Sequence, residues 1–300
     1  MPINDSVDWS IDLGGGTRVG LIQAGTFRSD AGALFGPVPR MLWHGLVSDE
    51  IDREGRLLQA LNCLLVESAA GRLLIETGIG ERIPEKVRDI REYEGPAIVP
   101  ALVTAGFSPE TVDAVALTHL HFDHAGGLLR STGEKAFPKA RIVAQQAEWE
   151  MAFDRNSRIV ASYDQPELRL VRDWGKEGWA SGEVEIMPGV TVVPTGGHSK
   201  GHQAVIVRGA GGRAAIGGQT LRGARSRTLA FLGDLGMRPW SANPRWVTSF
   251  DDFPLDSVAA KGVLFERAVA EGWTIVLSHE PKAPVGKLVV DRDRYRFQPI

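Results

Sequence analysis

The stretch Thr118-His119-Leu120-His121-Phe122-Asp123-His124 constrains this chain more than any other. Three imidazoles and a carboxylate stand between His119 and His124, in a chain of 300 residues with only seven histidines. In an extended segment alternate side chains face the same way, so His119 and His121 point together while Leu120 turns inward. Asp123 and His124 follow a change of direction and address a second point nearby. The flanks fix the local fold. Ala114 to Leu117 is a short apolar run suited to a buried strand, and Ala125-Gly126-Gly127 lets backbone approach closely as a helix begins. Solvated surface histidines would not follow a buried strand in this way.

Further candidate ligands close other apolar runs. Val190 to Pro194 leads to Gly197-His198, Leu229 to Leu232 leads to Gly233-Asp234, and Thr274 to Ser278 leads to His279. Strand ends that deliver such groups to one loop layer are how an αβ scaffold builds a site. Imidazole nitrogen and carboxylate oxygen at this density suit zinc, with manganese, iron or cobalt as alternatives.

These motifs, with Ile75-Glu76-Thr77-Gly78 ahead of them, resemble the metallo-β-lactamase superfamily from about Leu61 to His279. The resemblance implies an α/β fold, an αββα sandwich of two mixed sheets flanked by helices. It implies two divalent metal ions per chain, with His119, His121 and His198 on the first, Asp123, His124 and His279 on the second, and Asp234 bridging both. Glu76 departs from the aspartate usual in the first motif, which bears on a supporting contact. Phe35 to Trp43, Gly196 to His202 and Phe250 to Leu255 look like the corresponding segments of YtnP-type quorum-quenching lactonases, relatives of methyl parathion hydrolase-like and 4-pyridoxolactonase-like members. Gly217 to Arg227 departs from them as an arginine-rich hairpin or loop.

Two such ions lower the pKa of a water between them and supply hydroxide at neutral pH. The expected reaction is hydrolysis of a lactone carbonyl, with an N-acyl-homoserine lactone as the leading substrate. An organophosphate triester hydrolase, a thioesterase and a metal-binding regulator without turnover are the alternatives. Asp123 and Asp234 are the candidate catalytic carboxylates, Asp234 able to carry a proton. His202 is a candidate for orienting a ligand. Phe35, Met41, Trp43, Phe122 and Trp240 are candidates for an apolar substrate wall, with Gly32 to Trp43 at the entrance; a core role is the usual fate of such residues.

Composition narrows the setting. A net charge of −3 gives no electrostatic reason to expect nucleic acid or an anionic membrane. No apolar run approaches bilayer length, and Met1 to Ser6 lacks the features of a signal peptide. With Cys63 the only cysteine, no intrachain disulfide can form. The expectation is a cytoplasmic protein of one domain over residues 1–300, acting on a small molecule, with a homodimer left open. Strands are expected at Thr17 to Gln23, Ala60 to Glu67, Arg72 to Glu76, Ala140 to Gln145, Ala204 to Arg208 and Thr228 to Leu232. Helices are expected at Ile98 to Ala105 and Asp256 to Glu271, the latter with Lys261 and Arg267 towards solvent.

Overall fold

The computed structural model describes residues 10–300 apart from 156, 176–177, 210–214, 217–218 and 221–227. Two mixed sheets carry the fold. The first runs Gln219–Thr220, Ala215–Ile216, Ser10–Gly14, Thr17–Asp30, Arg56–Ser68, Gly71–Ile75, Ala114–Ala116, Arg141–Gln145, Trp179–Ala180 in spatial order. The second runs Arg294–Pro299, Val285–Asp291, Thr274–Val276, Thr228–Phe231, Gln203–Arg208, Val190–Pro194, Val184–Met187. Among the described residues, parallel pairing is confined to the neighbours of Ala114–Ala116, to Arg141–Gln145 with Trp179–Ala180, and to Thr228–Phe231 with Thr274–Val276. Strands buried on both sides read as continuous apolar runs. That is why Ala114, Val115 and Ala116 show no alternation.

Inner faces of the two sheets meet in one cluster that includes Leu64, Val66, Leu73, Val192, Val205 and Phe231. The first sheet's outer face is covered by Ile98–Thr104, Gln146–Met151 and Gln165–Gly175, through residues such as Leu102, Trp149 and Leu168. Pro254–Glu271 covers the second with Leu264, Phe265 and Ala268. The expected αββα layering is the observed one. Gly272 closes that last helix in the left-handed region, φ 68°.

The structure bears on three further expectations. Gly32 to Trp43 contains one short helix, Ala31–Phe35, and the start of another, Arg40–Val47. Lys261 is 3% exposed, because its helix packs beneath the Trp246 carbonyl, to which Nζ donates at 2.7 Å. Of the arginine-rich segment, Gln219–Thr220 pairs with Ala215–Ile216, and Arg222, Arg225 and Arg227 lie outside the described residues. Among the described residues no helix is long and apolar enough to cross a membrane.

Candidate metal centre

The strand Ala114–Ala116 ends at the histidine run, and the next motif along the sheet clamps it. Glu76 sits at φ 67°, which turns its chain back towards the run. Its Oε1 accepts from the Thr118 N–H at 3.0 Å, and Oε2 lies 3.4 Å from His124 Nδ1. Thr77 donates to the His124 carbonyl from both its N–H, 2.8 Å, and its hydroxyl, 2.7 Å. The longer glutamate in place of aspartate thus reaches both the Thr118 backbone and the ring of the candidate ligand His124.

His119, His121 and His198 bring ligand atoms within 4.8 Å of one another, as do His119, His124 and Asp234, and Asp123, His124 and His279. Asp234 stands between the groups. Its Oδ1 is 3.2 Å from His124 Nε2 and 3.1 Å from His279 Nε2, while Oδ2 is 3.3 Å from His198 Nε2. His119 Nε2 and His121 Nε2 are buried without a hydrogen-bond partner, and His124 Nε2 faces Asp234 without an aligned bond. Buried imidazole nitrogens are seldom left unpaired, so the donor set fits one or more divalent ions.

Three of these rings are held by a contact at Nδ1. His198 Nδ1 meets Asp251 Oδ1 at 2.9 Å, His279 Nδ1 meets the Ala60 carbonyl at 2.8 Å, and His119 Nδ1 meets Thr118 Oγ1 at 3.0 Å. Such contacts orient a ligand ring and fix its tautomer. His202, expected to orient a ligand, accepts the Asp234 N–H on Nε2 at 3.2 Å while Nδ1 meets Thr195 Oγ1 at 2.6 Å. Burial, then the neighbouring His198, push its pKa down to about 3. Burial and adjacent imidazoles also push His119 and His121 well down, which leaves lone pairs available. Burial alone would raise the Asp234 carboxyl, but His124, His279 and His198 outweigh it and hold it well below the usual range.

Sequence reasoning missed a second tier. Glu148, fully buried, accepts the Leu120 N–H at 3.0 Å and the Tyr163 hydroxyl at 3.1 Å on one oxygen. Its other oxygen accepts the Ser199 hydroxyl at 2.6 Å and the Gly201 N–H at 3.1 Å. One carboxylate thus braces the loops of His121 and His198. Gly201 is needed there, because a Cβ would collide with Glu148 backbone. The only sequence signal was an acid beside Trp149 in the stretch that forms the helix Gln146–Met151. Tyr163 packs edge-on to His121 at 4.7 Å, yet its hydroxyl is committed to Glu148.

The structure separates the candidates for an apolar wall. Phe122 lines the cavity of about 40 Å³ at the cluster, along with Phe27, Leu34, Met237 and Phe250. Phe35 and Trp43 do not; their rings stack at 4.5 Å, buried behind Leu34 and Met237 in the same apolar cluster, because Trp43 lies on the inward face of its helix. Trp240 packs on Phe35 at 4.7 Å and lines another cavity beside Arg238. Met41, on the opposite side of the Trp43 helix, is 88% exposed.

Comparison with known proteins agrees with this geometry. The Metallo-beta-lactamase superfamily profile matches residues 58–263. An N-acyl homoserine lactonase of Bacillus cereus is 31% identical over 159 residues, 48% of this chain and 57% of its own length. The chain thus spans little more than half of that relative. A probable metal-dependent hydrolase from Staphylococcus aureus superposes with a TM-score of 0.79 at 25% identity, covering 95% of this chain and 98% of its own. AidC, a dizinc quorum-quenching lactonase, shares the fold with a TM-score of 0.77 at 19% identity, covering 97% and 96%. With the family profile spanning more than half of its residues, the chain belongs to the metallo-beta-lactamase superfamily.

Proposed function

We propose that the protein is a metal-dependent hydrolase that opens lactones, with N-acyl-homoserine lactones as its substrate class. The observation that carries the reading is the convergence of unpartnered buried imidazoles around Asp234. The likeness to N-acyl homoserine lactonases supplies the substrate class. His119, His121 and His198 would hold one ion, Asp123, His124 and His279 a second, and Asp234 would touch both. When bound, such ions supply Lewis acidity and a water acidified for attack on a carbonyl.

The chain's own groups do the rest. Asp234 is kept as a carboxylate by the imidazoles around it, and in this reading it would take a proton from the attacking water and return it to the alkoxide that leaves as the ring opens. Asp123 sits at the cavity wall beside it. The cavity at the cluster holds a reacting group and a few waters at most. An adjoining cavity of about 380 Å³, sharing Phe122 and Arg91, offers room for an apolar chain beside Ile79, Ile83 and Val87. No serine or cysteine nucleophile is required.

The test is a panel assay of purified protein loaded with zinc, manganese or cobalt, beside elemental analysis. Two ions per chain and a kcat/KM for N-hexanoyl-homoserine lactone above that for a paraoxon-like triester or a thioester are expected. A tenfold preference for the triester, about 1.4 kcal/mol in the transition state, would overturn the reading.

A further inference from the structure

The strand Arg56–Ser68 sends alternate side chains to one face, and Leu57, Leu61, Cys63 and Leu65 make that face apolar and buried. Gln59 breaks the pattern. It is fully buried and lines the cavity shared by His121, Asp123, His198 and Asp234. Its Nε2 donates to the Leu58 carbonyl at 3.1 Å, which fixes which end of the amide is which, and Oε1 has no partner. A buried acceptor left unmade costs free energy, so its presence on an apolar face calls for an occupant that donates.

The same cavity also presents donors. Arg91 ends its helix with the guanidinium 4.7 Å from the Phe122 ring centre and 6.0 Å from that of Phe27. Among the described residues it forms no ion pair or hydrogen bond. It lines both the cavity at the cluster and the adjoining larger one. Gln59, with its unpartnered acceptor, and Arg91, with its donors, thus belong to the lining of one cavity beside His121, Asp123 and Asp234. A secondary amide needs that pair, its N–H seeking an acceptor and its carbonyl a donor.

We propose that Gln59 and Arg91 are specificity-determining residues that bracket the amide of the substrate, Gln59 Oε1 receiving the N–H and Arg91 donating to the carbonyl. This rests on the lactonase reading above and deepens it, since it selects lactones with an acylamino group beside the ring carbonyl over lactones without one. A site that hydrogen-bonds a substrate group discriminates strongly against the analogue lacking it, because its own buried polar atoms are then left unpaired.

Three lactones of equal chain length make the test, assayed with the zinc-loaded protein. They are N-hexanoyl-homoserine lactone, the ester isostere with oxygen in place of the amide N–H, and a plain alkyl γ-lactone. The wild type should prefer amide over ester by tenfold or more in kcat/KM, and Gln59→Met should bring that ratio to within threefold of unity. Arg91→Met should lower amide and ester alike by about tenfold relative to the alkyl lactone. Because Arg91 sits at a half-exposed helix end, this second variant keeps the proposal open to refutation if Gln59→Met misfolds. If Gln59 is instead satisfied by an ordered water, the substitution shifts all three lactones equally and the proposal falls. A wild type that opens all three lactones without preference overturns the amide bracket and leaves the lactonase reading standing. A wild type that opens none overturns both.

Discussion

His198 Nδ1 lies 2.9 Å from Asp251 Oδ1, with both side chains almost wholly buried. Asp251 also accepts from the Thr248 hydroxyl at 2.9 Å, so its carboxylate is fixed before it fixes the ring. Burial would raise its pKa, but His198, Lys261 and the Ser257 hydroxyl together outweigh that and hold it low. Asp251→Ala should therefore weaken zinc affinity by about 10–100-fold while the fold persists, and Asp251→Asn should cost less. Chelator competition on protein of unchanged circular dichroism checks this. Unaltered affinity would show that the ring is positioned by packing alone.

Glu148 carries a larger structural burden, because four donors share its two oxygens. Glu148→Leu removes all four acceptor contacts at once and leaves two backbone N–H groups unpaired. A loss of at least about 3 kcal/mol is expected, read by urea unfolding of metal-free protein. A loss below about 1 kcal/mol would mean that water replaces the carboxylate freely.

Lys261 gives a pH signature. Burial lowers its pKa from 10.5 to about 8, against the opposing pull of Asp251 and Asp234. Between those values the unfolded chain holds a proton that the folded chain has released, so stability rises with pH across the window. Relative to Lys261→Met, metal-free wild type should gain on the order of 3 kcal/mol between pH 8 and 10.5. Parallel urea titrations of the two proteins measure the difference; a flat difference contradicts the burial of the amine.

Trp43 separates packing from substrate contact. Stacked on Phe35 away from the cluster, it should cost about 3–5 kcal/mol when changed to Ala, with lactones of every chain length affected alike. Melting curves beside a chain-length series decide it. A stable variant with selective loss of long-chain substrates would return Trp43 to the substrate wall.

The convergence of the histidine run with His198, Asp234 and His279 was legible because each candidate ligand follows an apolar strand, and the layered architecture followed from the family that these motifs resemble. Lys261 and the Phe35–Trp43 pair were not. A helix written as polar on one side says nothing about the loop that later covers it, and an aromatic residue near a motif fits a core as well as a pocket. Glu148, Asp251, Tyr163 and Gln59 were illegible for a different reason. Their roles depend on partners far away in sequence, such as the Gly201 N–H for Glu148, and no local spacing encodes that meeting.

The contact between His279 and Ala60 has a consequence for the order in which the protein is made. The carbonyl and N–H of Ala60 grip the ring and carbonyl of His279, and Asn62 holds the flanking Leu277 and Glu280 carbonyls. A strand from the first quarter of the chain is thus the mould for a loop near its end. A nascent chain emerges with His119 to His124 already clustered, long before that loop is synthesised. Any ion caught at that stage would be held by a partial set of ligands, exchangeable and exposed. If the proposed ions bind, their retention would thereby be tied to completion of synthesis, with the late return of His279 to an early strand as the latch.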